Sequence, residues 1–376
     1  MADALVQSAI AHWGPRFVSN GVALTDFEEV CASIGTWDDW CKAWSVRAAL
    51  HEQMGRDALA KKKLLSAGEH LQRAGVYYHF AKFVFVHDIA QMKTAHMKAV
   101  ECRNLALPHI DPPGERVAIP FEGKTLYGIL RKPAAHLPEK WPPVFRTGDA
   151  QTLESTARPP VMVMAVGLDS TKEETEAYER PFLQRGVAIL VFDGPGQGEA
   201  EYDIPIRGNY ETAVKAVCDF IETRKDLDAS RIGLWGVSLG GYYAPRAAAF
   251  EKRVKACIGL AGPYDMGDAW AGLPDHTREA FRVRSHCKTQ DEAKKNAATL
   301  TLKGVAQNIT CPLFIVTGKQ DRIIPWQDAE RLASEVKGPV ELLIVEDGNH
   351  IANNRPYRWR LQTADWMAEQ LGVAAR

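Results

Sequence analysis

The chain has 376 residues, of which 46% are hydrophobic and 25% are charged, and its formal net charge at pH 7 is -1. These values are typical of an ordinary globular protein with one large domain or two, and they do not indicate disorder. Because the chain has no basic excess, we expect it to bind neither nucleic acid nor an anionic membrane, and we expect a small-molecule substrate.

The sequence shows no pattern of a targeting or membrane segment. The N-terminus lacks a basic stretch followed by an apolar one, and the longest apolar runs are far too short to span a bilayer. We therefore expect a cytoplasmic protein. The seven cysteines are scattered, without a C-x-x-C pair or zinc-ligand spacing, so we expect neither a disulfide framework nor a metal site, and no cofactor.

Residues 1–112 are predicted to form an N-terminal all-helical domain. In the segment TWDDWCKAW, three tryptophans, Trp37, Trp40 and Trp44, recur at a spacing that places them on one helix face. The segment DALAKKKLLSAGEHLQRAGVYYHFAKFVF (57–85) is rich in strong helix formers and in small residues that allow helices to pack closely. The segment PHIDPPGER then ends the helical region with a linker.

Residues 113–376 change to a strand pattern. The segment ERVAIPFEGKTLYGILRKP alternates around EGK, which predicts a hairpin. Six apolar runs follow, separated by helical stretches: PPVMVMAVG, GVAILVFDG, RIGLWG, VKACIGLAG, CPLFIVTG and VELLIVEDG. Continuously apolar strands that alternate with helices indicate a doubly wound α/β domain with a mostly parallel sheet of eight strands.

Two segments depart from this alternation. Residues 133–158 are rich in proline and polar residues and are predicted to form a long surface loop. Residues 264–306 lie between the sixth and seventh strands and contain a charged, helical-looking stretch. An insertion at this point would lie over the carboxyl ends of the strands, where such sheets bind ligands, so we expect a lid-like insertion.

The segment GLWGVSLGG contains the pattern G-x-S-x-G at residues 236–240, directly after an apolar run and before a helical stretch. Strand, turn and helix in this order form a nucleophile elbow, in which a strained turn exposes a serine hydroxyl. The context predicts that Ser238 is a nucleophile. The alternative is that Ser238 caps the helix of a catalytically inactive fold.

An acid and a histidine follow in the chain order of the α/β-hydrolase fold. Asp321 ends the seventh strand in VTGKQD, and His350 ends the eighth in VEDGNH. A serine hydroxyl needs a neighbouring base, and the base needs a carboxylate to fix its tautomer, so we expect a triad of Ser238, Asp321 and His350. Two alternatives stay open: Asp321 caps the next turn while Asp265 serves as the acid, or His350 is a surface turn residue.

Two backbone amides are candidates for the oxyanion hole. The elbow supplies the N–H of Leu239, and the turn after the third strand, in VMAVGLDSTKEE, supplies the N–H of Leu168. The segment FDGPGQGE (192–199) after the fourth strand lacks the pattern of a phosphate-binding loop. Its glycines are expected to form a tight turn beside the cleft.

Several of these segments together resemble a known family. The segments GLDSTKEE, FDGPGQGE, GVSLGG and DGNH, preceded by AGEHLQRAGVYYHFAKFVF, are similar to the α/β-hydrolases related to 2,6-dihydroxypseudooxynicotine hydrolase. That group also resembles FrsA-type esterases and fungal polyketide-shortening hydrolases. The resemblance covers nearly the whole chain and implies a dimeric serine-triad hydrolase that cleaves a carbon-carbon bond next to a ketone, or an ester. Ser238, Asp321 and His350 match the triad positions of the family.

The sequence indicates the substrate-binding residues less clearly than it indicates the triad. The family pattern has glutamate where this chain has Asp169, which either pairs with Lys172, stays protonated, or accepts a hydrogen bond from the substrate. On the helical segment, four further candidates are Tyr78, His79, Lys82 and Phe83, although core packing explains the aromatic residues equally well.

The function that we expect from the sequence is that of a serine-triad hydrolase that acts on a small ketone of the acyl-aromatic or β-diketone type. The first alternative is a carboxylesterase, since the chemistry of both begins with serine attack on a carbonyl. The second is a homologue of the hydrolases that binds a ligand without catalysis.

Overall fold

Five α-helices precede the first strand of the chain. The computed structural model describes residues 3–134 and 158–374, and the predicted loop of residues 133–158 lies almost wholly outside these ranges. The helices of this region are α1 (Ala4–Ser19), α2 (Leu24–Ser33), α3 (Trp40–Ala60), α4 (Leu64–Lys82) and α5 (Ile89–Ala106). The all-helical character predicted for the N-terminal region is thereby confirmed.

The helical stretch of residues 57–85 is divided in two. Helix α3 ends at Ala60, and Lys62 adopts a positive φ of 57°, which turns the chain before α4 begins at Leu64. Two glycines of this stretch lie at close approaches: a Cβ atom at Gly68 would lie 2.6 Å from the carbonyl oxygen of His109, and one at Gly75 would lie 3.3 Å from that of Ala99 on α5. The small residues of this stretch thus serve helix packing, as the sequence indicates.

The tryptophans of the helical region are all buried. Trp40 and Trp44 lie on α3, whereas Trp37 lies in the short 3-10 turn that precedes it. The predicted helix face therefore holds for two of the three tryptophans, with the third added by the turn.

Eight strands form one sheet in the order β1-β2-β4-β3-β5-β6-β7-β8. The strands β3 to β8 run parallel to one another, whereas β2 pairs antiparallel with both β1 and β4. Their bounds are β1 Gly114–Phe121, β2 Lys124–Arg131, β3 Pro160–Ala165, β4 Ala188–Phe192, β5 Asp228–Val237, β6 Val254–Leu260, β7 Leu313–Gly318 and β8 Val340–Val345. The predicted hairpin and all six predicted apolar strands are confirmed.

The helices that follow the sheet strands complete an α/β-hydrolase fold. They are α6 Glu176–Leu183, α7 Glu211–Thr223, α8 Gly240–Phe250, α9 Met266–Ala269, α10 Asp275–Arg284, α11 Gln290–Ala297, α12 Gln327–Glu335 and α13 Arg360–Gln370. Three of them, α9 to α11, lie within the segment 264–306 between β6 and β7. None of the helices in the described part of the chain combines the length and apolar character needed to cross a membrane.

The hydrophobic core is continuous from the helical region into the sheet. One buried cluster joins Trp40 and Tyr77 of the helical region to Met162 and Trp235 on the sheet. A second cluster includes α7, α8 and part of the segment 264–306. Since the first cluster is shared, the sheet depends on the N-terminal helices for the burial of part of its apolar surface.

We expect the fragment of residues 113–376 to be insoluble, or to lose substrate selectivity, when it is expressed alone. Without the helical region, the fragment would expose the apolar surface that the helices bury. Soluble yield, thermal melting and activity, each compared with the full chain, test this expectation. A soluble fragment with full activity and selectivity would show that the helices are an unrelated appendage.

Candidate active site

Ser238 lies in a strained turn between β5 and α8. Its φ is 55°, a left-handed conformation that is rare for serine, and its amide donates to the carbonyl of Leu260 at 2.8 Å. Both flanking glycines are required sterically. A Cβ atom at Gly236 would lie 1.9 Å from the carbonyl oxygen of Gly240, and one at Gly240 would lie 2.1 Å from that of Ala165. The geometry is that of a nucleophile elbow.

A chain of two hydrogen bonds links Ser238, His350 and Asp321. The Nε2 atom of His350 lies 2.9 Å from the Oγ atom of Ser238, and its Nδ1 atom lies 2.7 Å from the Oδ2 atom of Asp321. The carboxylate of Asp321 is buried and the imidazole nearly so. With the proton on Nδ1, the imidazole donates to Asp321 and accepts from the serine hydroxyl, which is the arrangement that activates serine.

Asp321 also supports its own turn. Its Oδ1 atom accepts hydrogen bonds from the amides of Ile323 and Ile324 at 2.8 and 3.0 Å, while Oδ2 remains available to His350. Capping and orientation of the histidine, which the sequence presents as alternatives, therefore coexist. The carboxylate is held from two sides and cannot rotate away from the imidazole.

The alternative acid, Asp265, makes its contacts away from His350. Its Oδ1 atom caps α9 by accepting from the amide of Asp268 at 3.0 Å, and its Oδ2 atom lies 3.1 Å from the Nζ atom of Lys303. Within the described contacts it does not meet His350. The geometry thus favours Asp321 as the partner of the histidine.

A small cavity adjoins the serine. Its volume is about 20 Å³, and its lining includes Ser238, His350, Leu168, Leu239 and Asp169. In the described part of the chain, no protein acceptor is paired with the amide of Leu168 or Leu239. Both amides are therefore free to donate to a developing oxyanion. The segment 264–306 contributes to the same lining from above, with Met266, Leu273 and Thr277.

Asp169 lies in this lining between two guanidinium groups. Its Oδ1 atom is 3.6 Å from the Nη1 atom of Arg284, and its Oδ2 atom is 4.0 Å from the Nη1 atom of Arg16. Its Oδ1 atom has no hydrogen-bond partner within the described structure. Because the residue lines the cavity, its carboxylate is an acceptor that a substrate can use.

The pairing of Asp169 with Lys172 is wrong. The fully buried Lys172 ammonium instead contacts three carboxylates, those of Asp193 at 2.6 Å, Glu173 at 2.7 Å and Glu199 at 2.9 Å. Burial alone would lower the pKa of Lys172, but these carboxylates raise it above its ordinary value. Lys172 therefore faces the loop after β4, to which its backbone amide also donates at the Oδ1 atom of Asp193, 3.0 Å away.

The same cluster contains a possible set of metal ligands. Single ligand atoms of His96, Glu173 and Asp193 lie within 4.8 Å of one another. The ammonium of Lys172 already contacts both carboxylates of this set. The lysine thus supplies positive charge that a cation would otherwise bring, while the Nε2 atom of His96 has no hydrogen-bond partner within the described structure.

Two candidates from α4 lie in buried ion pairs. His79 contacts Thr171 through Nδ1 and Glu174 through Nε2, each at 3.0 Å. Lys82 donates to Glu201 at 2.6 Å, and burial lowers the pKa of this lysine although Glu201 opposes the effect. Neither residue lines the cavity at Ser238.

The two aromatic candidates also lie outside this lining. The hydroxyl of Tyr78 donates to Glu52 on α3 at 2.8 Å, within the helical region. The ring of Phe83 packs edge-on against Trp13 with a centroid distance of 5.0 Å, and the guanidinium of Arg16 lies 4.9 Å from its centre. Of the five predicted substrate-binding residues, Asp169 is the one that the structure brings to the serine.

Sequence reasoning missed Arg16 and Arg284. Arg16 on α1 binds Glu174 with two hydrogen bonds of 2.7 and 2.6 Å, and Arg284 is the last residue of α10. Each is a single arginine in an ordinary helix, without a motif around it. Only the pairing of distant segments shows that both arginines approach Asp169.

A second cavity of about 430 Å³ lies on the other side of α10. Its lining includes Trp37, Val84, Val86 and His276. Burial lowers the pKa of His276 to about 4, so this imidazole is neutral near pH 7. The residue after it, Thr277, lines the cavity at Ser238, so the first turn of α10 separates the two spaces.

Comparisons with known proteins agree with this fold. Residues 175–374 match the prolyl oligopeptidase family, Peptidase_S9. A 2,6-dihydropseudooxynicotine hydrolase of Paenarthrobacter nicotinovorans is 31% identical over 97% of this chain and 93% of its own length. The crystal structure of a 2,6-dihydroxy-pseudo-oxynicotine hydrolase superimposes with a TM-score of 0.83 and 30% identity, over 96% of this chain and 97% of that one.

Fungal hydrolases match a shorter part of the chain. A 20-hydroxy-prefusarin hydrolase of Gibberella moniliformis is 31% identical over 62% of this chain and 54% of its own length. The family match spans more than half of the chain, and the bacterial relative spans nearly all of it. The chain therefore belongs to the prolyl oligopeptidase family of α/β-hydrolases and is a hydrolase.

Proposed function

We propose that the protein uses Ser238, His350 and Asp321 to hydrolyse a carbon-carbon bond next to the carbonyl of a small ketone. The observation that carries this proposal is the continuous hydrogen-bond chain from Asp321 to the strained serine at a cavity. In this proposal residues 1–112 form a helical cap-like domain over a catalytic domain of residues 113–376, and residues 264–306 act as its lid-like insertion.

The proposed reaction begins with attack of the Ser238 Oγ atom on the substrate carbonyl, while the hydroxyl proton passes to the Nε2 atom of His350. The carbonyl oxygen becomes an oxyanion that accepts from the amides of Leu168 and Leu239. Collapse breaks the bond to the leaving carbon, which takes the proton from His350. Water, activated by the same histidine, then releases the acyl group from Ser238.

A carbon leaving group requires more stabilisation than an alkoxide. A carbanion can leave only if an adjacent carbonyl or an electron-rich ring shares its charge, so an acyl-aromatic ketone or a β-diketone is the proposed class. Support comes from the relative named as a 2,6-dihydropseudooxynicotine hydrolase, whose match covers 97% of this chain and so includes the N-terminal helices as well as the sheet. Ester cleavage shares the first half of this reaction and is the second candidate.

We expect Ser238→Ala and His350→Ala each to lower turnover by about a millionfold, because the triad acts as a unit. Asp321→Asn should cost about ten-thousandfold, since it leaves the imidazole in the wrong tautomer. Asp265→Asn is the matched control and should retain activity. If Asp265→Asn were the damaging change, the acid would have to be reassigned.

The substrates for this measurement are hydroxyaryl alkyl ketones and the esters of matching shape, with products identified by mass spectrometry. Ketone cleavage that depends on Ser238 supports the proposal. Cleavage of the esters alone would make the protein a carboxylesterase. Cleavage of neither, together with no labelling of Ser238 by a fluorophosphonate, would favour a non-catalytic ligand-binding protein.

For Asp169 we propose that its carboxylate, which lines the cavity, accepts a hydrogen bond from a substrate hydroxyl or amine and so places the carbonyl over Ser238. Asp169→Asn should then lower the rate with the ketone by at least about tenfold, the value of one good hydrogen bond. A small activated ester, which has no group to be held, should be almost unaffected. Asp275→Asn, an exposed change on α10, is the control. Equal losses on both substrates would indicate a purely structural role.

We also propose a homodimer in the cytoplasm. The seven cysteines are free thiols, which fits a reducing compartment.

Helix α3 exposes Val46, Leu50 and Met54 at successive turns of one face, an apolar stripe suited to a second copy. Leu50→Glu (56% exposed) should shift the mass measured by light scattering from dimer to monomer, whereas Leu361→Glu (54% exposed, on α13) should not. A monomeric unmodified chain would contradict the proposal.

A further inference from the structure

The turn of residues 166–168 carries the amide of Leu168 and passes directly beside the serine. A Cβ atom at Gly167 would lie 3.0 Å from the Cβ atom of Ser238. The carbonyl oxygens of this turn accept hydrogen bonds from two buried side chains outside it. Gln197 donates through Nε2 to Val166 and, at 3.5 Å, to Gly167, and Arg284 donates through Nη1 to Leu168.

These contacts determine where the amide of Leu168 points. In a trans peptide the C=O and N–H bonds point in opposite directions. When Gln197 holds the oxygen of Gly167 on one side, the N–H of Leu168 must point to the other side. Arg284 holds the next peptide through the oxygen of Leu168, so both peptide planes that flank the Leu168 Cα atom are held.

The hydrogen-bonding capacity of Gln197 fixes the direction of its amide. Its Oε1 atom accepts from the amide of Gly194 at 2.9 Å and from the hydroxyl of Tyr210 at 2.8 Å. Its NH₂ group is therefore the end that faces the turn, and no rotation of the side-chain amide would preserve these bonds. The segment FDGPGQGE thus supplies the side-chain NH₂ group of Gln197 as a hydrogen-bond donor to the turn that carries Leu168.

Arg284 connects the same turn to two other parts of the fold. Its Nη2 atom donates to the carbonyl of Phe83, at the end of α4, at 2.8 Å, and its Nε atom lies 3.4 Å from the Oε2 atom of Glu201. The arginine itself ends α10. One guanidinium therefore ties the turn to the helical region and to the segment 264–306.

We propose that Gln197 and Arg284 are positioning residues that hold the Leu168 amide in place as an oxyanion-hole donor. This inference rests on the proposed function. Neither side chain lines the cavity at Ser238, so each acts through the backbone of the turn. Their contribution should appear in the transition state, when the oxyanion forms, and not in the binding of the ground state.

The test uses the full chain with Gln197→Glu, Gln197→Leu, Arg284→Lys and Arg284→Met. Arg131→Met is the matched control: Arg131 is as buried as Arg284, at 1% exposure, and also donates to a backbone carbonyl, that of Pro112, but it does not touch the turn. The measurements are kcat and KM for a nitrophenyl ester, and the affinities for a phenylalkyl trifluoromethyl ketone and the matching methyl ketone.

The trifluoromethyl ketone reports on the oxyanion hole. The Oγ atom of Ser238 adds to its carbonyl carbon, the hydroxyl proton passes to His350, and the electron pair of the C=O bond becomes the charge on the oxygen. The methyl ketone binds without this addition. We expect kcat and the trifluoromethyl ketone affinity to fall together by about 10- to 100-fold in the Gln197 variants and in Arg284→Met, below or near the cost of losing one donor.

The methyl ketone affinity should stay within about threefold, because it reports ground-state binding without addition of Ser238. Arg284→Lys should recover part of the loss, since an ammonium can reach one carbonyl, and Arg131→Met should show none. If Arg284→Met does not fold, as judged by its melting temperature, Arg284→Lys decides for that position, and the size-conserving Gln197→Glu decides for Gln197.

Unchanged kcat and trifluoromethyl ketone affinity in folded variants would overturn the inference, as would equal losses for both ketones or the same loss in Arg131→Met. Failure of the proposed function has a different pattern. In that case Ser238→Ala would bind the trifluoromethyl ketone as tightly as the unmodified chain, whatever the Gln197 and Arg284 variants do.

Discussion

Three consecutive charged residues, Lys172, Glu173 and Glu174, lie fully buried between the helical region and the sheet. Removing an ionised group from water costs several kcal/mol unless partners compensate it in good geometry. Glu174 finds its partners in Arg16 of α1 and His79 of α4. Burial alone would raise the pKa of Glu174, but these two residues hold it well below its ordinary value.

These ion pairs fix the position of the loop after β3, which also contains the turn of residues 166–168. The depressed pKa of Glu174 means that the pairing stabilises the fold above the ordinary pKa of a glutamate, and that this contribution is lost as the pH falls. Since the partners of Glu174 belong to α1 and α4, its charge in the loop after β3 is compensated only while the helical region is docked. The helices therefore support the turn at residues 166–168 as well as covering the sheet.

The features that were predicted correctly are those that a short segment of the sequence determines. The strands follow from continuous apolar runs, and Ser238, Asp321 and His350 follow from short motifs at strand ends, which a parallel sheet brings to one edge. Contacts between residues that are far apart in the sequence cannot be predicted from any short segment of it. His79 and Lys82 look like pocket residues because burying them is costly, but that cost is met by Glu174 and Glu201. Asp169 and Lys172 are close in sequence, yet the ammonium of Lys172 contacts Asp193 and Glu199 on the loop after β4 instead.

The triad and the turn that carries Leu168 are positioned by different parts of the structure. The triad rests on the ends of β5, β7 and β8, whose order is set by the sheet. The turn of Leu168 rests instead on side chains from the loop after β4 and from α10, and through Arg284 on the end of α4. The cavity at Ser238 is about 20 Å³, room for about one water molecule, and its lining includes Thr277 of α10. Because α10 bears both Thr277 and Arg284, one helix contributes to the lining of the cavity at Ser238 and also donates a hydrogen bond to the turn that carries Leu168.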